Sequence, residues 1–300
     1  MSEHLPPTID PIAAARWQHA APAQAPWLHE EVGRRMQERL QWICRTPQTW
    51  CDWEPMRGGV EAHQLVAQRY PQATCYVVEH APHRLSAAQA RWSQPWWKPS
   101  RWTQAGTLVQ APADGTVDLL WANMALHQQA QPERMLKAWH AALAVDGFVM
   151  FSCLGPDTAK ELRAVYDHMG WPPAGQSYTD MHDWGDMLVH AGFAEPVMDM
   201  ETITLGFATP ERLLQELREL GCNLHPQRFA GLRGKAWLAQ LHAAIGTHLR
   251  VAEDNGQLTL SFEIVYGHAF KPQPRVVVEA ESSVSLAQMR SMLKQPRPQG

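Results

Sequence analysis

The strongest constraint on this chain is its rhythm between Thr49 and His168. Short runs rich in β-branched and aromatic residues alternate there with amphipathic stretches. TWCDW (Thr49–Trp53), TCYVVE (Thr74–Glu79), VDLLWAN (Val117–Asn123) and FVMFSCL (Phe148–Leu154) read as strands. The last is apolar almost throughout, as befits a strand covered on both faces of a parallel sheet. Val60–Arg69, after a glycine-containing turn, reads as a helix, and a second runs from Pro82 and becomes irregular towards Trp102. Pro132 opens another, with Met135, Leu136, Trp139 and Leu143 as its apolar stripe, and Gly155-Pro156-Asp157 opens one more to about His168. Upstream, Val32, Met36, Leu40 and Ile43 share one face of a helix predicted over Glu30–Cys44. Such alternation predicts βαβ units and an α/β fold with a doubly wound, Rossmann-like sheet. The ligand crevice of such a sheet lies beyond the C-terminal strand ends. The loops after Trp53, Glu79, Asn123 and Leu154 then surround one cleft.

Towards the C-terminus the pattern changes. PVMDMETITL (Pro196–Leu205) and LTLSFEIVYGHAF (Leu258–Phe270) read as two late antiparallel strands, separated by a helical insertion at about 206–256. Pro210–Leu220 and Gly234–Arg250 are its helices. Residues 1–27, rich in Ala and Pro, read as irregular or as a loose helix, and the main domain as 28–270. Residues 271–300 read as a mobile tail with one short helical patch, Leu286–Leu293.

A net charge of −4 gives no electrostatic footprint for nucleic acid. The opening MSEHLPPTIDP lacks the basic and apolar regions of a signal peptide, and no apolar run approaches the ~18 residues of a membrane span. Cys44, Cys51, Cys75, Cys153 and Cys222 are odd in number and widely spaced, which suits reduced thiols in a cytoplasmic protein. No nucleophile-elbow, P-loop or H-E-x-x-H motif occurs. The pair His80 and His83 has no further ligands nearby in sequence, so no metal site is expected.

The segments DLLWANMALHQQAQPERMLKAWHAALAVDGFVMFSCLGPDTAKELR, DMHDWGDMLVHAGFAEPVMDMETITL, NLHPQRFAGLRG and FEIVYGHAFKP resemble, in this order, one group of class I S-adenosylmethionine-dependent methyltransferases. That group is the malonyl-acyl-carrier-protein O-methyltransferases of biotin synthesis. The resemblance spans roughly Glu30 to Pro272. It implies S-adenosylmethionine as cofactor, the free carboxylate of malonyl-acyl-carrier protein as acceptor, and acyl carrier protein as partner.

It also implies site residues, and here the chain departs from the pattern. The family's first loop follows an acidic residue, here Asp52, with three glycines at alternate positions. Glu54, Met56 and Gly58 stand there, with Pro55 between the first two and Gly59 beyond. Glu54 sets a negative charge beside the cofactor carboxylate, Met56 fills space, and Pro55 removes an amide donor. Glu79 ends the second strand, where a carboxylate can accept both ribose hydroxyls. Gly106 falls where the family carries an Asp near the end of the third strand. Asn123 follows the fourth strand, where backbone groups line the cofactor. Pro22 stands near the family's usual Tyr.

A carboxylate acceptor is already ionised at neutral pH, so positioning rather than a general base is what the chemistry needs. No catalytic residue is therefore assigned. His127 either faces the transferred methyl or is a hydrogen-bonded wall residue. Arg228, Arg233 and Lys235 either meet the malonyl group or an acidic carrier, or are a solvated helix start. RWSQPWWKPSRW (Arg91–Trp102), with four indoles among three basic residues, reads as an interaction patch or as packing. Two functions remain open: a biotin-type methyltransferase, or a silent homologue kept for binding.

Overall fold

The computed structural model describes residues 9–93, 106–250 and 256–274. The chain begins with α1 (Pro11–Ala20) and α2 (Trp27–Arg39), then β1 (Thr49–Trp53) and a one-turn helix α3 (Pro55–Gly58). There follow α4 (Val60–Arg69), β2 (Thr74–Val78), α5 (Pro82–Trp92), β3 (Thr107–Val109) and β4 (Val117–Ala122). Next come α6 (Pro132–Ala142), β5 (Leu143–Leu154), α7 (Lys160–His168), α8 (Met181–His190) and β6 (Ala194–Phe207). The helices α9 (Pro210–Leu220) and α10 (Lys235–His248) form the insertion before β7 (Leu258–Phe270).

One sheet holds the strands in the order β3-β2-β1-β4-β5-β7-β6. The pairings β2 with β3, β1 with β2 and β4, and β4 with β5 are parallel; β7 runs antiparallel to both β5 and β6. The doubly wound sheet with a helical insertion between its last two strands is thus present. The strand order reverses between β1 and β4, which fixes the crevice there.

Strand alternation sorts the side chains into two layers. Trp50, Leu119, Trp121, Phe148 and Met150 face Leu28, Val32 and Met36 of α2 and Leu162 and Val165 of α7. Cys51, Leu120, Val149, Phe151 and Cys153 face Leu136 and Trp139 of α6 and Trp184, Met187 and Leu188 of α8.

Two expectations need correction. The N-terminal segment is not irregular throughout: Asp10 caps α1 by accepting from Ile12 N (2.9 Å) and Ala13 N (3.2 Å), with Pro11 at the first helical position. Gly106 precedes β3, and the residue after that strand is Gln110, so Gly106 does not hold the strand-end position. The helix from Pro82 ends at Trp92, which packs on the His63 ring with centroids 4.6 Å apart. The rest of the tryptophan run, Leu286–Leu293 and the tail beyond residue 274 lie outside the described residues.

Two of the segments that carry the resemblance meet physically. Gly155 N donates to Glu263 O (2.9 Å), Asp157 N to a Glu263 carboxylate oxygen (2.5 Å) and Thr158 Oγ1 to Glu263 O (3.1 Å). GPDT is thereby clamped onto FEIVYGHAF. In the same strand, Gly267 pairs with Phe151 and Met198, and an added Cβ would lie 2.5 Å from the Phe151 ring and 2.9 Å from Met198 Sδ. We expect Gly267→Ala to cost about 1–3 kcal/mol of stability; urea unfolding checks this, and an unchanged midpoint would contradict the packing.

Candidate functional site: a closed crevice beside an open pocket

At the reversal point, β1 leads into Glu54, whose φ of 57° and ψ of 49° lie in the left-handed region that favours glycine. Met124, at the end of β4 on the other side, also has a positive φ (55°). Both flanks of the crevice therefore hold non-glycine residues in a costly backbone state.

The crevice is filled from within. Arg84 of α5, 1% exposed, donates from Nε to Glu79 Oε2 (3.0 Å) and from Nη2 towards Glu54 Oε1 (3.4 Å). Its remaining donors reach Gln18 of α1, at O (2.8 Å) and Oε1 (3.3 Å). The other Glu79 oxygen accepts from Met56 N (2.8 Å). Both Glu79 oxygens are engaged, and the side chain is fully shielded from a ribose by these partners. His80 Nδ1 bonds Glu54 Oε1 (3.0 Å), and the Glu54 carboxylate holds the His80 pKa above its usual value. Burial pushes the Glu79 carboxyl up to about 7 against the pull of Met56 N–H and Arg84. The remaining cavity, between Trp17, Gln18, Glu54, Arg84, Asn123 and Gln128, is about 20 Å³. Small-molecule sites occupy ~300–1,000 Å³.

Helix α1 forms the roof. Trp17 Nε1 donates to Gln128 Oε1 (2.7 Å), and His83 Nε2 bonds Ala21 O (2.8 Å). Arg57, within α3, reaches Gln24 O (2.9 Å) and Leu220 O (3.2 Å), tying the turn after β1 to the segment between α1 and α2 and to α9. None of these ties is visible in local sequence, because the partners are far apart in the chain.

The other residues implied by the resemblance hold the fold together. Asp52 is buried against His63 Nδ1 (2.8 Å), and burial raises its pKa. Asn123 donates from Nδ2 to His29 O (2.7 Å) and Gly58 O and accepts from Ser152 Oγ (2.6 Å), crosslinking α2, α3 and β5. An added Cβ on Gly58 would meet Asn123 O at 2.9 Å. Gly59, at φ 138°, faces the Glu30 carboxylate, which accepts from Val60 N (2.8 Å) and Ala62 N (3.0 Å) at the start of α4. Arg228 pairs with Asp10 (2.7 Å), holding α1 to the insertion, and Arg233 lies 4.0 Å over the Trp237 ring.

Beside the crevice lies an open pocket of about 310 Å³. Leu154, Leu162, Leu217 and Phe262 contribute apolar walls, and Arg163 and Arg218 contribute cations. Gln128 lines both spaces. Arg163 stands in the segment GPDTAKELR, so the pocket draws on the stretch that carried the resemblance.

No family model matches the chain. It is 37% identical over 260 residues to the malonyl-[acyl-carrier protein] O-methyltransferase of Gallionella capsiferriformans (strain ES-2), across 83% of this chain and 86% of that one. It is 36% identical to the enzyme of the same name from Nitrosospira multiformis, across 87% and 89%. The chain belongs to the malonyl-[acyl-carrier protein] O-methyltransferase family. The fold agrees with solved structures of low identity. YcgJ of Bacillus subtilis is 12% identical with a TM-score of 0.51, over 81% of this chain and 99% of that one. A candidate methyltransferase of Bacillus halodurans, BH2331, is 13% identical with a TM-score of 0.52, over 79% and 99%.

Within this malonyl-[acyl-carrier protein] O-methyltransferase fold, His127 is buried. Both its ring nitrogens, and His29 Nε2, lack partners among the described residues. Burial pulls His127 down to about 3 and lowers His29 in the same direction. A base with a folded pKa below its unfolded value contributes its stability in full above about 6.5 and loses it as pH falls towards the folded pKa. We expect stability to decline below pH 6.5 by up to ~1.4 kcal/mol per pH unit for each histidine. His127→Phe should remove one histidine's share of the slope, and identical slopes in urea titrations would contradict this.

Proposed function

We propose that this chain accepts a malonyl thioester carried on acyl carrier protein and O-methylates its free carboxylate, as a step of biotin synthesis in the cytoplasm. The observation that carries the reading is the open pocket: apolar walls for the acyl and pantetheine chain, two arginines, and one wall, Gln128, shared with the crevice at the reversal point. The names and identities of the relatives supply the reaction. The absence of disulfides among the described cysteines fits a reducing compartment.

The acceptor is an anion before the reaction starts, so the pocket has to hold and orient it and keep water away. Arg163 suits this best. It is half-buried, with Nη2 anchored on Pro156 O, and it lies on the side of the pocket where Tyr178 meets the His127 ring at 6.0 Å. Arg218, exposed at α9, suits the phosphate of the carrier's arm. Arg233, stacked on Trp237, and Lys235 of the insertion offer positive charge for an acidic carrier, while Arg228 is taken up by Asp10.

The family resemblance assigns S-adenosylmethionine as the methyl donor. In the conformation described, the crevice does not accommodate it: the cavity is about 20 Å³, both Glu79 oxygens are engaged, and Glu54 adds a carboxylate.

Arg163→Ala is expected to weaken malonyl-carrier binding by roughly tenfold or more, the scale of one charge-assisted hydrogen bond. Acetyl-carrier binding, which offers no carboxylate, should change little. Titration of both carriers checks this, and equal losses for the two would overturn the assignment.

A further inference from the structure

We propose that Arg84 and helix α1 form a removable plug in the crevice, so that the free protein excludes a nucleoside donor until the guanidinium leaves Glu79. The proposal rests on the methyl-transfer reading for the identity of the donor. It rests on geometry for everything else.

Four observations point the same way. Arg84 sits at the C-terminal ends of β1 and β2, 1% exposed, in the space the topology reserves for a ligand. Its donors are used on Glu54, Glu79 and the Gln18 backbone and side chain, so it is held as a bound ligand would be. Two carboxylates share that one buried guanidinium, with His80 on the second, and the cost of taking these groups out of water makes the cluster a poor structural ion pair. The roof that Arg84 fastens is separable: α1 is a ten-residue helix held over the crevice by Trp17–Gln128, His83–Ala21 and Asp10–Arg228 contacts. Its apolar contact is a small separate cluster of Ala13, Ala14 and Leu224 rather than the main core.

The plug also gives Glu54 a role. A glycine would suit its backbone better, yet the side chain reaches both Arg84 and His80 and so contributes to closure. Apparent affinity falls by the fraction of molecules that are open, so a plugged protein binds its donor weakly even where the open crevice binds well.

The test compares S-adenosylhomocysteine binding by calorimetry in the unaltered protein and in the double variant Glu54→Gly, Arg84→Ala. The double variant removes one carboxylate and one guanidinium, so the formal charge of the cluster is preserved and Glu79 remains. We expect its binding to be at least ~100-fold tighter than that of the unaltered protein. Gln18→Ala leaves the buried charges in place and loosens the roof. It should give a smaller gain, roughly fivefold, together with faster tryptic cleavage after Arg16. Equal micromolar affinity in all three proteins would overturn the plug and leave the methyl-transfer reading standing. A folded double variant and a folded Gln18→Ala protein that both fail to bind would overturn the plug and the donor assignment together.

Discussion

A single guanidinium organises the functional end of this molecule. Arg84 joins the loop after β1 through Glu54, the end of β2 through Glu79, and the N-terminal helix through Gln18. Taking three charges out of water is costly, and their mutual attraction offsets that cost only while the geometry holds. Burial raises the Glu79 carboxyl to about 7, and the hydrogen bond to the Glu54 carboxylate holds His80 more basic than usual. The left-handed backbone at Glu54 belongs to the same arrangement. It turns the chain into α3 so that Met56 N–H meets Glu79.

Beneath that cluster the sheet provides a rigid base. Its central strands are buried on both faces, and β7 is locked to the GPDT loop through Glu263 and to β5 by the close passage of Gly267 under Phe151. That clamp places Thr158, Ala159 and Arg163 along one side of the open pocket, while α9 supplies the opposite side. The open pocket is thus built on regular structure. The crevice is built from side chains and a short roof helix.

The strand and helix rhythm was legible because burial on two faces writes long apolar runs such as FVMFSCL, and burial on one face writes a helical stripe. The altered loop was legible too: Glu54 and Met56 stand where glycines are needed, and the structure shows their side chains and backbone turned inward. Arg84 was not. A charged residue on a half-exposed helix reads as solvated, and its partner Gln18 lies 66 residues away. Helix α1 was obscured by its Ala and Pro content, although Asp10-Pro11 is a cap-and-proline start. Arg228 and Arg233 were read as free cations because nothing local reveals Asp10 or Trp237 as their partners. Arg163 and Arg218 drew no attention for the converse reason: helical arginines acquire meaning only when α7 and α9 face each other across a pocket.

The central claim is that the free protein carries its own side chain where a donor would lie. A high-resolution crystal structure of the unliganded protein tests it most directly. The account predicts clear density for the Arg84 guanidinium bridging Glu79 and Glu54, with Gln18 on its far side and α1 in place. An open crevice of several hundred cubic ångströms, with Glu79 solvated and Arg84 turned to the surface, would contradict it.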